Sequence, residues 1–314
     1  MVQVADPPTK VNRPPCCYMV TNDLEPDRTM PRPTWKSLLA VPEPLLLPVA
    51  HDALSARLIE AAGFRAASVG GFALVGARHG IPDIGLAGLR DMVEGVRDIL
   101  AATSLPLLID GDDGYGDVKN VTHTIRTYER MGAAAIFIED QVSPKRCGHM
   151  AGKSVVPCES MERKIAAAAA ARESRDTFLL ARTDARALEG LDGALHRAER
   201  YLAAGADGIF VEAPISIAEL ERIGRAFRGT PLLANMLEDG ATPLVSPNEL
   251  FGLGFQMIAY PVSLLFRVVR TMERALADMR AGTLRLEGEG VSFADFKALT
   301  GFEAWASIED RFGR

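Results

Sequence analysis

The segment Glu139-Asp-Gln-Val-Ser-Pro-Lys145-Arg146-Cys147-Gly148-His149 places one thiol among three basic side chains, directly after an acidic run. Cationic neighbours lower a thiol pKa from its free value of roughly 8.5, which suits a proton shuttle or a nucleophile. Such a lowering is the expectation for Cys147, and Gly148 would leave the backbone free to bend beside it. A zinc site or an inert buried thiol is the competing use, but no Cys-x-x-Cys pair accompanies it and its flanks are charged.

Other ionisable residues recur where apolar runs end: Asp110-Gly-Asp112-Asp113-Gly-Tyr-Gly116, Glu139-Asp140-Gln141, Arg182-Thr-Asp184, Glu212, and Asn235 with Glu238 beyond it. Asp110, Asp112 and Glu139 offer hard carboxylate oxygens of the kind that hold Mg²⁺, with Mn²⁺ as an alternative, while water and substrate complete the octahedron. Asp113 and Asp117, beside Gly114 and Gly116, suit turn and helix-start roles better than ligation. Arg182 offers a planar fork for a substrate carboxylate, and an ion pair with Glu212 or Asp184 is its competing use. Glu212 would orient Arg182 or a water, and Asn235 would donate to an oxygen. Asp83 can reach the same site from its loop, whereas His79 need not. His123 and His196 fall within helix patterns and should be exposed, and His51 stands between a strand end and a helix start.

The elements that position these residues follow from periodicity. Apolar runs at 45–50, 66–71, 105–110, 133–140, 177–185, 208–213, 231–237 and 256–261 are too uniformly apolar for strands with one wet face. Helix patterns lie between them at 51–62, 89–102, 118–131, 160–173, 193–204 and 217–227, with Gly63, Gly132, Gly205 and Gly254 as stops. Eight βα units close most naturally as a (β/α)8 barrel, although periodicity alone also allows a doubly wound sheet. The polar residues fall at the carboxyl ends of the strands, where barrel active sites form.

Composition sets outer bounds. The chain has 314 residues, 48% hydrophobic and 24% charged, which suits one large α/β domain. Its formal net charge of −6 argues against a nucleic-acid surface, and no apolar run is long enough to span a membrane. Four cysteines, among them Cys16 and Cys17, form no disulfide framework, and no secretory leader is apparent, so a reducing cytoplasm is expected. Residues 1–36 carry seven prolines without sustained periodicity and read as a flexible arm, before a barrel over 37–280 and a helical arm over 281–314.

Over residues 37–314 the chain resembles the isocitrate lyase and phosphoenolpyruvate mutase superfamily. The resemblance rests on Lys145-Arg-Cys-Gly-His149, which is similar to the catalytic loop of the lyase branch. It rests also on Asp110-Gly-Asp-Asp-Gly-Tyr-Gly116, Glu139-Asp140-Gln141, Ala181-Arg-Thr-Asp-Ala185 and Leu233-Ala-Asn-Met236. That branch includes methylisocitrate lyase, dimethylmalate lyase, oxaloacetate acetylhydrolase and carboxyphosphonoenolpyruvate phosphonomutase. The resemblance implies a barrel, bound Mg²⁺ on Asp110, Asp112 and Glu139, and a small 2-hydroxy or 2-oxo acid as the partner molecule. It implies that Cys147 protonates a carboxylate-stabilised carbanion, that Arg182 stabilises developing charge, and that Lys145 to His149 form a loop closing over substrate. It implies, last, a homotetramer whose C-terminal helices, near 293–312, pack on a neighbour.

Two departures narrow this. After the second strand the lyases carry a hydroxyl residue followed by small ones, where this chain has Gly70-Gly71-Phe72, and Phe72 would narrow or re-aim the pocket. Methylisocitrate lyases carry a tyrosine where Ser68 stands, and Asp-Gly-Asp-Asp replaces a more usual Asp-Ala-Asp-Thr. Both weigh against methylisocitrate itself. The leading reading is a carbon–carbon lyase or hydrolase acting on a substituted malate or oxaloacetate. A phosphonomutase and a catalytically silent oxo-acid-binding barrel are the alternatives.

Overall fold

The structure, a computed structural model, describes residues 32–150, 152–283 and 290–313. Most of the expected N-terminal arm, with Cys16 and Cys17, lies outside the described residues. The packed fold starts earlier than the boundary at 36: helix α1 (Trp35–Leu39) is capped by Thr34, and Trp35 is wholly buried with Nε1 3.4 Å from Met257 Sδ.

Eight strands form one parallel sheet: β1 (Leu45–Pro48), β2 (Ala67–Val69), β3 (Leu107–Asp110), β4 (Ala135–Glu139), β5 (Phe178–Thr183), β6 (Gly208–Val211), β7 (Leu232–Asn235) and β8 (Met257–Tyr260). They pair in the order β1-β8-β7-β6-β5-β4-β3-β2. A bridge between Val49 and Ser68, where Ala50 N donates to Ser68 O at 2.8 Å, brings β1 onto β2 and makes the (β/α)8 barrel. That closure excludes the doubly wound sheet. Every strand is covered on both faces, which is why the strands read as unbroken apolar runs. Leu45, Leu47, Leu108, Phe137, Leu180, Phe210 and Leu233 fill the interior, with Trp35 and Leu38 of α1 beneath them. Ile136, Ile138, Leu179, Ala181 and Ile209 face outward, against the helices.

The helices are α2 (Ala53–Ala61), α3 (Gly71–His79), α4 (Leu89–Ala102), α5 (Val118–Met131), α6 (Cys158–Ala171), α7 (Arg186–Ala203), α8 (Ile217–Ala226), α9 (Pro247–Leu253), α10 (Ser263–Ala281), α11 (Phe293–Leu299) and α12 (Phe302–Phe312). α4 and α5 match the sequence pattern end to end. Asp117 caps α5 by accepting from Lys119 N at 2.9 Å, and Asp113 accepts from Tyr115 N at 2.9 Å, the turn roles expected of both. Gly132 and Gly254 close α5 and α9 at φ of 96° and 107°, a region open to glycine at little cost. No sequence pattern predicts α3: the run at 66–71 reads as strand throughout, but β2 ends at Val69 and Gly71 opens a helix that no side chain caps. α7 begins earlier than the pattern at 193, because Gly190 (φ 73°) breaks an added first turn from the main body.

Asp140 ties the barrel to its outer layer. Wholly buried, it accepts from Thr183 Oγ1 (2.7 Å), Tyr201 OH (2.8 Å) and Asp184 N (2.8 Å), with Arg197 Nη1 3.5 Å away. It therefore joins β4, the end of β5 and α7. Asp140→Ala should destabilise the fold by about 3 kcal/mol, because buried donors and a guanidinium lose their acceptor. A urea melt checks this, and an unchanged midpoint would contradict it.

Candidate active site

The strand ends converge on a cavity of about 330 Å³. Of the residues singled out from sequence, Gly70, Gly71, Phe72, Asp83, Asp110, Glu139, Asn235, Arg182, Glu212 and the loop from Lys145 to His149 all line it. Asp112 is the exception, lying just behind Lys145. Of the other histidines, His123 and His196 are exposed as expected, and His79 is exposed and does not line the cavity. His51 is buried, with its backbone N–H donating to Ser55 Oγ at 3.0 Å at the start of α2, and does not line the cavity.

The acidic side is built on β3 and β4. Asp110 Oδ2 accepts from Gly71 N and Oδ1 from Asp112 N, both at 2.9 Å. Asp112 sits at φ 47°, a left-handed conformation that aspartate tolerates better than most residues, and its carbonyl accepts from Glu139 N at 2.8 Å. A Cβ on Gly71 would stand 3.3 Å from Asp110 Oδ2 and 3.4 Å from Lys145 Nζ, so glycine leaves the room these groups occupy. Lys145 Nζ lies 2.5 Å from Asp83 Oδ1 and 2.7 Å from Asp112 Oδ1. Burial, and then the Asp112 charge, push the Asp110 carboxyl up to about 6.

The opposite wall is built around Arg182. Its Nε lies 2.9 Å from Asp184 Oδ2 and 3.2 Å from Glu139 Oε2, and its Nη2 lies 3.8 Å from Glu212 Oε2. The ion pair weighed against substrate binding is therefore present, chiefly with Asp184. His149 Nδ1 accepts from Ala241 N at 3.1 Å, which leaves Nε2 to carry the proton toward Glu212 Oε1 at 2.6 Å. Burial opposes the Glu212 charge, but Arg182 and His149 outweigh it and hold that carboxyl below the usual range. Asn235 Nδ2 donates to Glu212 Oε1 at 3.3 Å.

These pairings overturn the expectation for Cys147. Lys145 is matched by two carboxylates, His149 by Glu212, and the Arg146 side chain is exposed. Burial then pushes the thiol above its usual value, and the His149 backbone N–H and Arg182 oppose this without prevailing. That direction favours the thiol over the thiolate. Gly148 also has a different reason from the one expected: a Cβ there would run into the Arg182 guanidinium and stand 2.6 Å from Glu212 Cγ, so its role is close approach. Lys153, which sequence reasoning missed, has an almost fully buried side chain; its Nζ donates to Asp184 Oδ1 at 2.9 Å and to the Gly148 carbonyl. Its position just after the Cys147 loop was the one available signal.

Among the described residues no three His, Cys, Asp or Glu side chains converge as a ready-made metal cage. The donor chemistry nonetheless suits a hard divalent cation. Asp83, Asp110 and Glu139 present carboxylates to the same cavity with Asp112 behind Lys145, Glu139 Oε1 is buried without a hydrogen-bond partner, and the Lys145 ammonium already sits among the acids as a positive charge. Mg²⁺ commonly uses only one or two carboxylates and keeps waters, so a closed cage is not required.

A parallel barrel with paired acids, a buried guanidinium and a protonated thiol at its carboxyl mouth defines the chain as a barrel enzyme. It belongs to the isocitrate lyase and phosphoenolpyruvate mutase superfamily, since the family model described as phosphoenolpyruvate phosphomutase matches residues 35–280. It is 42% identical to the petal death protein of Dianthus caryophyllus, over 85% of each chain. It is 37% identical to 2,3-dimethylmalate lyase of Eubacterium barkeri, over 88% of this chain and 96% of that one. A solved structure of oxaloacetate acetylhydrolase with the inhibitor 3,3-difluorooxalacetate superposes with a TM-score of 0.84 at 30% identity, covering 88% of this chain and 95% of that one. Phosphonopyruvate hydrolase in complex with oxalate and Mg²⁺ superposes at 0.79 and 28% identity, covering 89% and 98%.

The thiolate absorbance of the protein, minus that of a Cys147→Ser variant, should rise with a midpoint above the free-thiol value of roughly 8.5. A midpoint below it would restore the activated-thiolate view.

Proposed function

We propose that this chain is a Mg²⁺-dependent enzyme that breaks a carbon–carbon bond in a small 2-hydroxy or 2-oxo di- or tricarboxylic acid, with Cys147 as general acid. The observation that carries this reading is a thiol kept protonated by burial in the same cavity as Arg182 and the Asp110 and Glu139 carboxylates. The names of relatives, a dimethylmalate lyase and an oxaloacetate acetylhydrolase, support that substrate class.

Asp110 and Asp112, supported by Glu139, would hold the ion, which when bound would neutralise charge on chelated substrate oxygens. Arg182 would face a substrate carboxylate, held at the mouth by Asp184, and Asn235 would donate to a substrate oxygen. As the substrate hydroxyl gives up its proton to solvent and becomes the carbonyl of an oxo acid, the carbon–carbon bond breaks and its electron pair stays on the departing fragment, next to a carboxylate. Cys147 Sγ gives its proton to that carbon, and the thiolate is then reprotonated from solvent. Lys145, through Asp83 and Asp112, and His149, through Glu212, hold the loop against the cavity, with Gly148 allowing the approach and Arg146 at the rim. Hydrolytic cleavage of oxaloacetate would use the same groups.

We place the chain in a reducing cytoplasm, which keeps Cys147 a thiol, as a homotetramer with exchanged C-terminal helices. Met272, Leu276, Met279, Phe293, Trp305 and Phe312 on α10 to α12 are each more than half exposed, an apolar surface of the kind that partners cover. Light scattering should give four times the chain mass of 33.8 kDa, and a monomer mass would refute the assembly.

Proton and phosphorus NMR with Mg²⁺ and a panel of dimethylmalate, methylisocitrate, oxaloacetate and phosphonopyruvate tests the reaction. Pyruvate plus a second acid, or oxalate plus acetate, should appear and should vanish with EDTA. Changes confined to phosphorus signals would favour a phosphonomutase, and no change in any signal would favour a binding protein. Cys147→Ser should lower turnover on the order of 10²-fold, as loss of a general acid does, with Mg²⁺ binding retained. Full activity in that variant would remove Cys147 from the mechanism.

A further inference from the structure

Glu139 belongs to the acidic wall and Asp140 to the outer layer, whereas the side chain of Gln141, the next residue, is used by the loop that carries the thiol. Gln141 is 1% exposed. Its Oε1 accepts from Arg146 N at 2.9 Å and its Nε2 donates to Arg146 O at 2.8 Å, so the carboxamide pairs with that backbone as a neighbouring strand would. Arg146 O is part of the peptide group that joins Arg146 to Cys147. Beyond it, Cys147 O accepts from Met150 N at 2.8 Å, and the Gly148 carbonyl accepts from Lys153 Nζ. The carbonyls on either side of Cys147 are therefore each bound by a buried side chain. Gln141 and Lys153 both stand at the base of the loop, where Gln141 bridges Val155 and Val142 N donates to Ser154 O at 2.9 Å. Lys153 Nζ also donates to Asp184 Oδ1 at 2.9 Å, and that oxygen accepts from Arg182 Nη2 at 3.2 Å.

Holding the peptide before a residue fixes the direction of its Cα–Cβ bond. We propose that Gln141 and Lys153 are positioning residues that aim the Cys147 thiol, Gln141 by holding the peptide before it and Lys153 by holding the carbonyl after it, and that Lys153 ties this aim to Arg182 through Asp184. The proposal rests on the reading of Cys147 as proton donor. A donor has to stand within hydrogen-bond reach of the atom it protonates, and a misplacement of about 1 Å can cost on the order of 10²-fold in rate. Gly148 has no side chain with which to pack the loop in place, so hydrogen bonds to its backbone carry that task.

Iodoacetamide labelling of the folded protein with Mg²⁺, read at Cys147 and Cys158 by peptide mass, measures the hold on the thiol without turnover. Cys158, at the start of α6, is the internal control. One net hydrogen bond is worth about fivefold in an equilibrium. Gln141→Met keeps the volume and loses both bonds, so Cys147 should label at least about tenfold faster, with Cys158 unchanged. Gln141→Glu fills the same space but turns an acceptor toward Arg146 O, and it should behave like Gln141→Met; a side chain that only filled space would leave the rate unchanged in this variant. On the acid that is cleaved, both Gln141 variants should lower kcat about tenfold or more with KM within about twofold, whereas Lys153→Met should lower kcat and raise KM, because the Arg182 fork loses its brace. Should the Gln141 variants not fold, Cys158 labels faster too, and Lys153→Met alone decides. Unchanged Cys147 labelling, or an unchanged KM in Lys153→Met, would overturn the proposal and leave the cleavage reading intact. Faster labelling in an enzyme that cleaves no acid of the panel would overturn the cleavage reading, and with it the purpose of the aim.

Discussion

Charge neutralised by charge in a buried place is the constraint on which this molecule depends. Asp110, Asp112, Glu139, Asp184, Glu212, Lys145 and Arg182 are each less than a tenth exposed, gathered at one end of a barrel whose interior is otherwise apolar. Isolated ions there would be prohibitively costly; all but Asp110 persist because they face an opposite charge, and Asp110 is held by the Gly71 and Asp112 backbone N–H groups. Arg182 answers Asp184 and Glu139, Lys145 answers Asp83 and Asp112, and Lys153 answers Asp184.

The same pairing fixes the Cys147 loop. Lys145 anchors its beginning to the acidic wall, His149 anchors its end to Glu212, and Lys153 takes the Gly148 carbonyl between them. A segment held at three points brings Cys147 over the cavity while its own cations are neutralised by others. That explains how a loop so basic in sequence surrounds a thiol that is harder, not easier, to ionise. A protonated thiol is what a general acid needs; a nucleophile would need the reverse.

The barrel was legible because burial of both sheet faces writes itself into the chain as apolar runs, and because glycines and polar caps mark where helices stop and start. The positions of Asp110, Glu139, Arg182, Glu212 and Asn235 followed, since in this fold a polar residue ending a strand faces the mouth. What escaped were features with no local period. α3 opens at Gly71 with glycines on both of its flanks, and Gly190 splits α7. Lys153 matters only through atoms distant in sequence.

The sequence by itself determined which residues end the strands and which loop carries the thiol, because alternation of strand and helix is a local pattern. It determined membership of the superfamily through motifs that are likewise local. The tertiary structure alone decided that burial pushes the Cys147 thiol up, that position 148 needs glycine, and which cation each buried carboxylate meets. Those depend on distances between side chains brought together from different strands, and on how much water is excluded there, and neither quantity can be read along the chain.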